Sequence, residues 1–156
     1  MDGFHYTKEQ LSRFPNATEA FARRGAHWTF DGSAFVEKLR LLKASGSGSF
    51  PSFSHGSGDP VPDDVMVALE KHQVVLVEGN YLLLDVAPWS EIRSLLDYVF
   101  FLEADLQTIR ERVYGRHFSL GYGEEVSLRR MLTNDLPNAE TVLATKHRAD
   151  KVIQSR

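Results

Sequence analysis

Val74-Val75-Leu76-Val77, followed by Glu78-Gly79-Asn80, is the stretch of sequence that decides the fold class. It is continuously apolar and rich in β-branched residues, and a second such run occupies residues 98–102. Runs that are apolar on both faces are typical of strands buried on both faces, as in a parallel sheet covered by helices. The sequence therefore predicts an α/β fold in which 74–78 and 98–102 are interior strands of a parallel sheet.

Capping signals predict the helices around these strands. Residues 7–10, Thr-Lys-Glu-Gln, form a capping-box pattern, and Asp31 and Asp105 are placed to cap two further helices. Residues 63–72 are also predicted as a helix, with Asp63 as its cap.

The C-terminal part is predicted as helix followed by a short strand. Residues 124–136 have a helical pattern, Pro137 interrupts it, and residues 138–147 can resume it. Val152 and Ile153 are predicted to form the last strand.

Residues 43–62 differ in composition from the rest of the chain. Ser, Gly and Pro dominate, and Phe50, Phe53 and His55 are set among them. This composition predicts a long surface loop, and long loops in compact domains are usually functional or disordered. We expect one domain over residues 1–156, with 43–62 as a flexible loop on the substrate side; a disordered linker is the alternative.

Charge and composition exclude several classes of function. The 156 residues carry 18 basic and 21 acidic side chains, and this net charge of −3 gives no general footprint for nucleic acid or an anionic membrane. Cysteine is absent, so disulfides, zinc–thiolate sites and thiol nucleophiles are excluded. No stretch approaches the roughly 20 apolar residues of a membrane span, and no secretory signal is recognisable. We expect a cytoplasmic protein with a small-molecule partner; homo-oligomerisation stays open.

Two carboxylates stand where an α/β protein can bind its ligand. Glu78 ends the apolar run, where such an acid can hold a magnesium ion or, equally well, cap the turn that follows. Asp2 precedes Gly3, which allows a sharp turn, and His5 is a second titratable group nearby. Judged on its residues alone, the segment from Asp2 to His5 reads as a plain polar terminus.

Two cationic segments are candidates for contact with a phosphate or a substrate. Arg112 and Arg116 share one helix face near several glycines, which suits a mobile lid over 110–124 that closes on phosphates; a solvated basic face is the alternative. Residues 23–28, Arg-Arg-Gly-Ala-His-Trp, could grip an anionic or planar substrate. Trp28 could equally be a core residue, with the arginines favouring a helix dipole.

Taken in order, these segments resemble the phosphoribulokinase/uridine kinase superfamily of P-loop kinases, and most of all its pantothenate-kinase-like and nucleoside or sugar kinase members. The matching segments are 2–5, 23–31, 51–55, 59–60, 75–83, 116–117, 134–135 and 138–139. The resemblance covers essentially the whole chain. It implies a three-layer P-loop kinase fold that uses ATP and Mg²⁺ to phosphorylate a hydroxyl of a nucleoside, a pantothenate-like compound or a sugar.

The resemblance also implies roles for individual residues. Asp2 matches the acid that activates the acceptor hydroxyl, and Asp2 and Glu78 both match acids near the metal. Arg112 and Arg116 match lid arginines that meet the transferring phosphate, and Asn138 lies near the adenine end of ATP. The residues implied for the acceptor pocket are His5, Arg24, His27, Trp28, Phe53, His55 and Tyr81.

One departure from the family pattern is prominent. The pattern Gly-x-x-x-x-Gly-Lys-Ser/Thr, whose amides cradle the phosphates, has no match in the 156 residues, and neither have the family's first strand and following helix. We therefore expect weak ATP binding and no activity from this chain alone. It would be either a kinase truncated before Asp2 or a non-catalytic binding or regulatory remnant. A magnesium-dependent hydrolase that uses Asp2 and Glu78 is a third hypothesis.

The missing strand has an expected structural consequence. In the family it lies between the strands at 74–78 and 98–102, so the facing edges of these two strands would lack partners and expose apolar surface. We expect marginal stability or self-association.

Overall fold

Residues 1–155, the part of the chain that the computed structural model describes, contain six α-helices and four strands. The helices are α1 (Lys8–Ser12), α2 (Ala17–Ala22), α3 (Gly32–Ser45), α4 (Leu106–Ser119), α5 (Glu124–Arg130) and α6 (Leu136–Leu143). The strands are β1 (Ser47–Ser54), β2 (Asp59–Ala68), β3 (Phe100–Glu103) and β4 (Lys151–Gln154). Short 3-10 turns cover Asp2–Phe4, His27–Thr29, Trp89–Leu95 and Lys146–Arg148. This mixed content confirms the α/β class.

The predicted helix caps are confirmed where the signal is local. Thr7 accepts a 3.1 Å hydrogen bond from the Gln10 amide, and the Gln10 side chain accepts one of 2.7 Å from the Thr7 amide. Asp31 caps α3 and Asp105 caps α4 through bonds of 2.9 and 2.8 Å to backbone amides. Gly46, at a φ of 75°, ends α3 in the left-handed conformation that favours glycine.

An antiparallel hairpin of β1 and β2 occupies residues for which the sequence predicted a loop and a helix. The prediction of irregular structure over 43–62 and of a helix over 63–72 is therefore wrong. Val61, Val65 and Val67 favour a strand, and Asp63 has a φ of 52°, which does not suit a helix cap. The pairing shifts register between Phe50 and Ser52, opposite the residues that flank Asp63.

Residues 74–78 do not form an interior strand, and this prediction is also wrong. They belong to neither sheet of the described residues, and Val74 and Leu76 are 76% and 90% exposed. Val75 and Val77 are half-buried, so side-chain exposure alternates along the segment, as expected for an extended chain that is covered on one face. An apolar run becomes an interior strand only when strands pair with its backbone on both sides, and no strand within 1–155 does so.

The second apolar run does form a strand. β3 pairs in parallel with β4, which confirms both the strand near 98–102 and the last strand at 152–153. Burial on both faces is not observed, because Phe101 is 7% exposed whereas Leu102 is 71% exposed. Within residues 1–155 β3 pairs only with β4, so its other edge is unpaired, and the exposed Leu102 adds apolar surface on one face of the sheet.

The C-terminal helical region continues through Pro137 instead of stopping there. A wide π turn, Met131–Asp135, connects α5 to α6, and Pro137 lies in the first turn of α6. Proline is tolerated at this position because the first amides of a helix need no intrahelical acceptor. The predicted interruption is thus replaced by a change in helix width.

The main core lies between α3, the segment 81–84 and the 3-10 turn Trp89–Leu95. Its buried residues are Phe4, Phe30, Phe35, Val36, Leu39, Tyr81, Leu82, Leu84, Trp89 and Ile92. A smaller cluster of Leu83, Val99 and Phe101 packs beneath β3. Within residues 1–155 no helix is long and apolar enough to cross a membrane.

Candidate active site

A cavity of about 490 Å³ lies between the N-terminal turn and the helices α4 to α6. Asp2, His5 and Arg24 line one side of it, and Arg116, Asp135 and Asn138 line the other. All six residues belong to segments that carried the resemblance, and all but Asp135 had a predicted role. The structure therefore brings the two ends of the chain together around one space.

Aromatic rings pack around His5; of these, Phe30 lines the cavity and Phe53 does not. The His5 ring is 3.9 Å from that of Phe30 and 5.0 Å from that of Phe53, measured between centroids. Burial lowers the pKa of His5 below its usual value, and the hydrogen bond to the Asp2 carbonyl only partly offsets this. The imidazole is therefore neutral at pH 7 and can act as a flat, uncharged surface.

Arg24 is engaged with the hairpin. Its Nη1 donates to the Gly58 carbonyl at 2.6 Å, and its Nη2 donates to the Tyr6 carbonyl at 2.9 Å and to Asp59 at 3.0 Å. The guanidinium also lies 5.8 Å from the centre of the Phe53 ring. Of the Arg24 guanidinium nitrogens, Nε alone is buried without a hydrogen-bond partner among the described residues. Arg24, predicted to bind substrate, thus lines the cavity while it holds the hairpin in place.

Lys8 provides a second attachment for the hairpin tip. Its backbone amide donates to Asp59 at 2.9 Å, and its ammonium group donates to the Ser57 carbonyl at 2.5 Å. Desolvation raises the pKa of Asp59, but the hydrogen bonds from Lys8 and Arg24 outweigh it and hold this pKa below its ordinary value. The tip is consequently attached to α1 through Lys8 and to the segment after α2 through Arg24.

Asp2 and Glu78 lie on neighbouring segments. The Met1 backbone nitrogen donates to the Glu78 carbonyl at 2.7 Å. The two carboxylates nevertheless line different spaces, because Asp2 faces the large cavity and Glu78 borders an apolar cavity of about 200 Å³. No group of three His, Asp or Glu residues that could hold a metal occurs within residues 1–155. The magnesium pair stays a prediction.

The two predicted lid arginines have different surroundings. Arg116 lines the cavity, and its Nη2 lies 3.6 Å from Asp135 Oδ1. Arg112 is not among the lining residues, and its Nη1 donates to Ser155 Oγ at 2.9 Å. Both belong to the regular helix α4. A lid over 110–124 stays a prediction.

Asp135 is the carboxylate that organises this side of the cavity. Its Oδ2 lies 2.7 Å from His117 Nε2, and both side chains are largely buried. His117 Nδ1 is buried and has no partner among the described residues. The π turn places Asp135 at this position, and such turns are frequent at functional sites.

Asn138 belongs to a polar network that joins α6 to the segment after α2. It accepts from Arg23 Nη2 at 3.2 Å and donates to Asn134 Oδ1 at 3.1 Å. Asn134 also accepts from Arg23 Nε and donates to the Arg24 carbonyl, both at 3.2 Å. The Asn138 amide is therefore engaged with the acceptor-side segment, whereas the resemblance implied the adenine end.

The remaining predicted pocket residues lie outside the cavity wall. Tyr81 is a core residue whose hydroxyl donates to the Gly25 carbonyl at 2.6 Å, and burial raises its pKa. The His27 ring packs edge-on against Tyr81, and burial, with a smaller effect of Arg23, lowers its pKa. Trp28 is half-buried, and His55 is exposed with its ring 5.4 Å from that of Phe53.

Sequence reasoning gave no role to several polar residues that line the cavity, namely Asn80, His117, Arg130, Asn134 and Asp135. The last three recur at helical spacing with Asn138 and so form a polar stripe along one side of the helical region. That stripe was the available signal, although the π turn that completes it leaves no recognisable pattern.

The chain resembles kinases of known sequence and structure, although no protein-family model matches it. It is 41% identical over 158 residues to a protein of Schizosaccharomyces pombe provisionally named a uridine kinase, with 99% of this chain and 67% of that protein aligned. It superimposes with a TM-score of 0.88 and 28% identity on a protein of Silicibacter sp. TM1040 provisionally described as a fructose transport system kinase, covering 98% and 72% of the two chains.

A further similar structure is that of YFH7 from Saccharomyces cerevisiae, a circularly permuted protein provisionally described as a P-loop kinase, with a TM-score of 0.84 and 25% identity. The match covers all of this chain and 56% of YFH7. The fold is that of P-loop kinases. The chain belongs to the uridine kinase-like family of P-loop kinases.

Proposed function

We propose that the chain forms the acceptor-binding and lid part of an ATP-dependent kinase that phosphorylates a hydroxyl of a small metabolite. The supporting observation is that Asp2 and Arg116 line one cavity. A carboxylate within reach of a hydroxyl can take its proton, and an arginine can neutralise the charge on a transferring phosphoryl group. Phosphoryl transfer depends mainly on such positioning and charge neutralisation.

The acceptor would lie on the side of the cavity formed by Asp2, His5 and Arg24. The neutral His5 ring and Phe30 provide an apolar surface there, and Asp2 provides the base. A nucleoside, a pantothenate-like compound and a sugar remain the candidate acceptors, since each offers a hydroxyl to a carboxylate of this kind.

ATP and Mg²⁺ are the cofactors of this proposal. Arg116 is a cavity residue that suits the phosphates, and Asp2 is an oxygen ligand of the type that Mg²⁺ accepts. Glu78 borders the other cavity, so the described residues do not assemble the two-carboxylate site that the resemblance implied. The steps assigned to this chain are therefore binding and proton transfer at Asp2.

A non-catalytic binding or regulatory remnant is the second candidate. The observation that favours it is that Asp2 and Glu78 line different cavities, so the described residues do not assemble a two-carboxylate metal site. In that case the cavity would bind a metabolite without transferring a phosphoryl group.

A phosphorylation screen distinguishes the two candidates. The chain would be assayed alone, and fused to the phosphate-loop segment of a relative, with labelled ATP and a panel of nucleosides, pantothenate and sugars. We expect acceptor phosphorylation by the fusion and a sharp loss with Asp2→Asn, whereas Asp85→Asn, on a carboxylate outside the cavity, should have little effect. A fusion that binds an acceptor but never phosphorylates it would support the remnant.

A further inference from the structure

The cavity side formed by α4, the π turn and the end of α5 carries more positive than negative charge. Arg116 and Arg130 both line it, and Asp135 is the carboxylate among them. Within residues 1–155 no carboxylate pairs with Arg130, whose side chain is exposed. Arg116 is held only at 3.6 Å, which is too long for a hydrogen bond. One cation is therefore left without a counter-ion.

Arg130 is nevertheless held in position. Its guanidinium carbon lies 4.8 Å from the centre of the Tyr122 ring, a distance typical of a cation–π contact. The Tyr122 ring in turn packs edge-on against His117, which is bonded to Asp135. The contacts form a continuous chain from Asp135 through His117 and Tyr122 to Arg130.

A second observation points to a polar ligand at this place. His117 is nine-tenths buried and lines the cavity, yet its Nδ1 atom has no hydrogen-bond partner among the described residues. Buried polar atoms without partners are rare in folded proteins, and at a cavity they are usually satisfied by a ligand or by water.

We infer that Arg130 is a further binding residue of this site, and that with Arg116 it holds a phosphate group of the ligand. Asp135 is the internal counter-ion that this group displaces from Arg116. The inference deepens the proposed function, on which it rests for the nature of the anion. It adds a residue outside the predicted lid, gives Tyr122 a positioning role and makes Asp135 a carboxylate that competes with the phosphate for Arg116.

The test titrates the whole chain with inorganic pyrophosphate at low salt, where charge pairing is least screened. Binding would be followed by calorimetry and by the side-chain NMR signals of arginine. Arg130→Gln should weaken binding about fivefold, the size of one partly screened charge pair. Arg129→Gln is the matched control. It removes the same charge from the neighbouring residue, whose side chain is exposed and does not line the cavity. Equal losses in both variants, or no binding by the wild type, would overturn the inference.

Two further variants test the chain of contacts. Tyr122→Phe keeps the ring and should bind pyrophosphate like the wild type. Tyr122→Leu removes the ring, and the factor by which it weakens binding should be about half of that for Arg130→Gln. Asp135→Asn should strengthen binding, because it removes the competing carboxylate from Arg116. A weaker Asp135→Asn complex, or a Tyr122→Leu variant equal to the wild type, would contradict the assigned roles.

A parallel titration with ribose 5-phosphate identifies the source of the phosphate. Tighter Arg130-dependent binding of pyrophosphate indicates a nucleotide, and tighter binding of the sugar phosphate indicates a phosphorylated acceptor; both support the site. Neither titration requires turnover, so both binding measurements are independent of the phosphorylation screen. If Arg130 matters for binding but no acceptor is phosphorylated, only the kinase proposal fails. If acceptors are phosphorylated but Arg130→Gln does not weaken binding, only this inference fails.

Discussion

Asp59 Oδ1 lies 3.0 Å from Arg24 Nη2, and both side chains are mostly shielded from solvent. This pair joins the tip of the β1–β2 hairpin to the segment that lines the candidate active site. The hairpin that carries Phe53, whose ring packs against His5, is therefore held by a contact between two residues distant in the sequence.

Asp59→Asn should loosen the hairpin tip. The variant loses the charge that holds Arg24 and weakens the bond to the Lys8 amide, so we expect a loss of about 1 kcal/mol in stability. Hydrogen exchange of residues 55–59 would measure the local effect. Asp63→Asn is the control, because Asp63 is on the same strand but pairs with Lys38. Equal exchange in both variants would rule out the attachment.

The same pair predicts a dependence on pH. The pKa of Asp59 in the folded protein is below its ordinary value of 3.8, so the ionised carboxylate stabilises the fold above that pH. This contribution should be lost as the pH falls below 3.8 through the lower folded value. The stability difference between wild type and Asp59→Asn should therefore shrink under acid, as urea denaturation at several pH values would measure. A difference that stays constant down to strongly acid pH would exclude this origin.

His5 should titrate below its usual pKa of 6.5, because burial disfavours the charged imidazole. Since the folded value is the lower one, stability is complete above pH 6.5 and falls as the pH decreases through the folded pKa. An NMR titration of the His5 ring protons measures this value directly. His5→Phe should reduce the loss of stability between neutral and mildly acid pH without abolishing it, because the pKa of His27 is lowered as well.

Gly3 should tolerate no side chain. A Cβ at this position would lie 2.1 Å from the Pro51 carbonyl oxygen, so the hairpin and the N-terminal turn would have to separate. We expect Gly3→Ala to cost about 2 kcal/mol in the free energy of unfolding. Gly115→Ala is the control, because open space surrounds that position in α4, and alanine should stabilise the helix by about 1 kcal/mol. Thermal or chemical denaturation would compare them, and a neutral Gly3→Ala would disprove the close contact.

The exposed apolar side chains should drive self-association. Leu76 and Leu102 are 90% and 71% exposed, and neither contributes to the core. Leu76→Lys combined with Leu102→Lys should therefore shift sedimentation towards monomer with little loss of stability. Leu41→Lys, on the exposed face of α3, is the control. A wild-type chain that is monomeric at all concentrations and melts cooperatively at high temperature would contradict this expectation.

Local signals in the sequence were the reliable ones. The caps at Thr7, Asp31 and Asp105 depend on residues three positions away, so their pattern is visible in the sequence. The hairpin was missed because its pairing joins Ser47 to Ala68, and a composition rich in Ser and Gly does not reveal a distant partner. Tertiary pairing overrides such local preferences.

The candidate site was predictable in its outline but not in its contacts. The resemblance implied roles for Asp2 and Arg116 in one active site, and both residues line the same cavity, although their roles stay predictions. The engagement of Arg24 with Asp59 depends on how the hairpin folds back, and that of Asn138 with Arg23 depends on how α6 packs. The apolar run at 74–78 does not reveal whether other strands lie beside it, so its pairing could not be predicted from the sequence.

The wide turn at Met131–Asp135 also sets the direction in which the side chains of α6 point relative to those of α5. It contains one backbone unit more than an ordinary helical turn, and each residue of an α-helix advances by about 100°. If the same residues were wound as a regular α-helix, Asn138 would turn by roughly that angle relative to Arg130, away from the cavity that both residues line. The chain would keep every one of those polar groups and still lose their convergence, because their common direction depends on a single surplus residue.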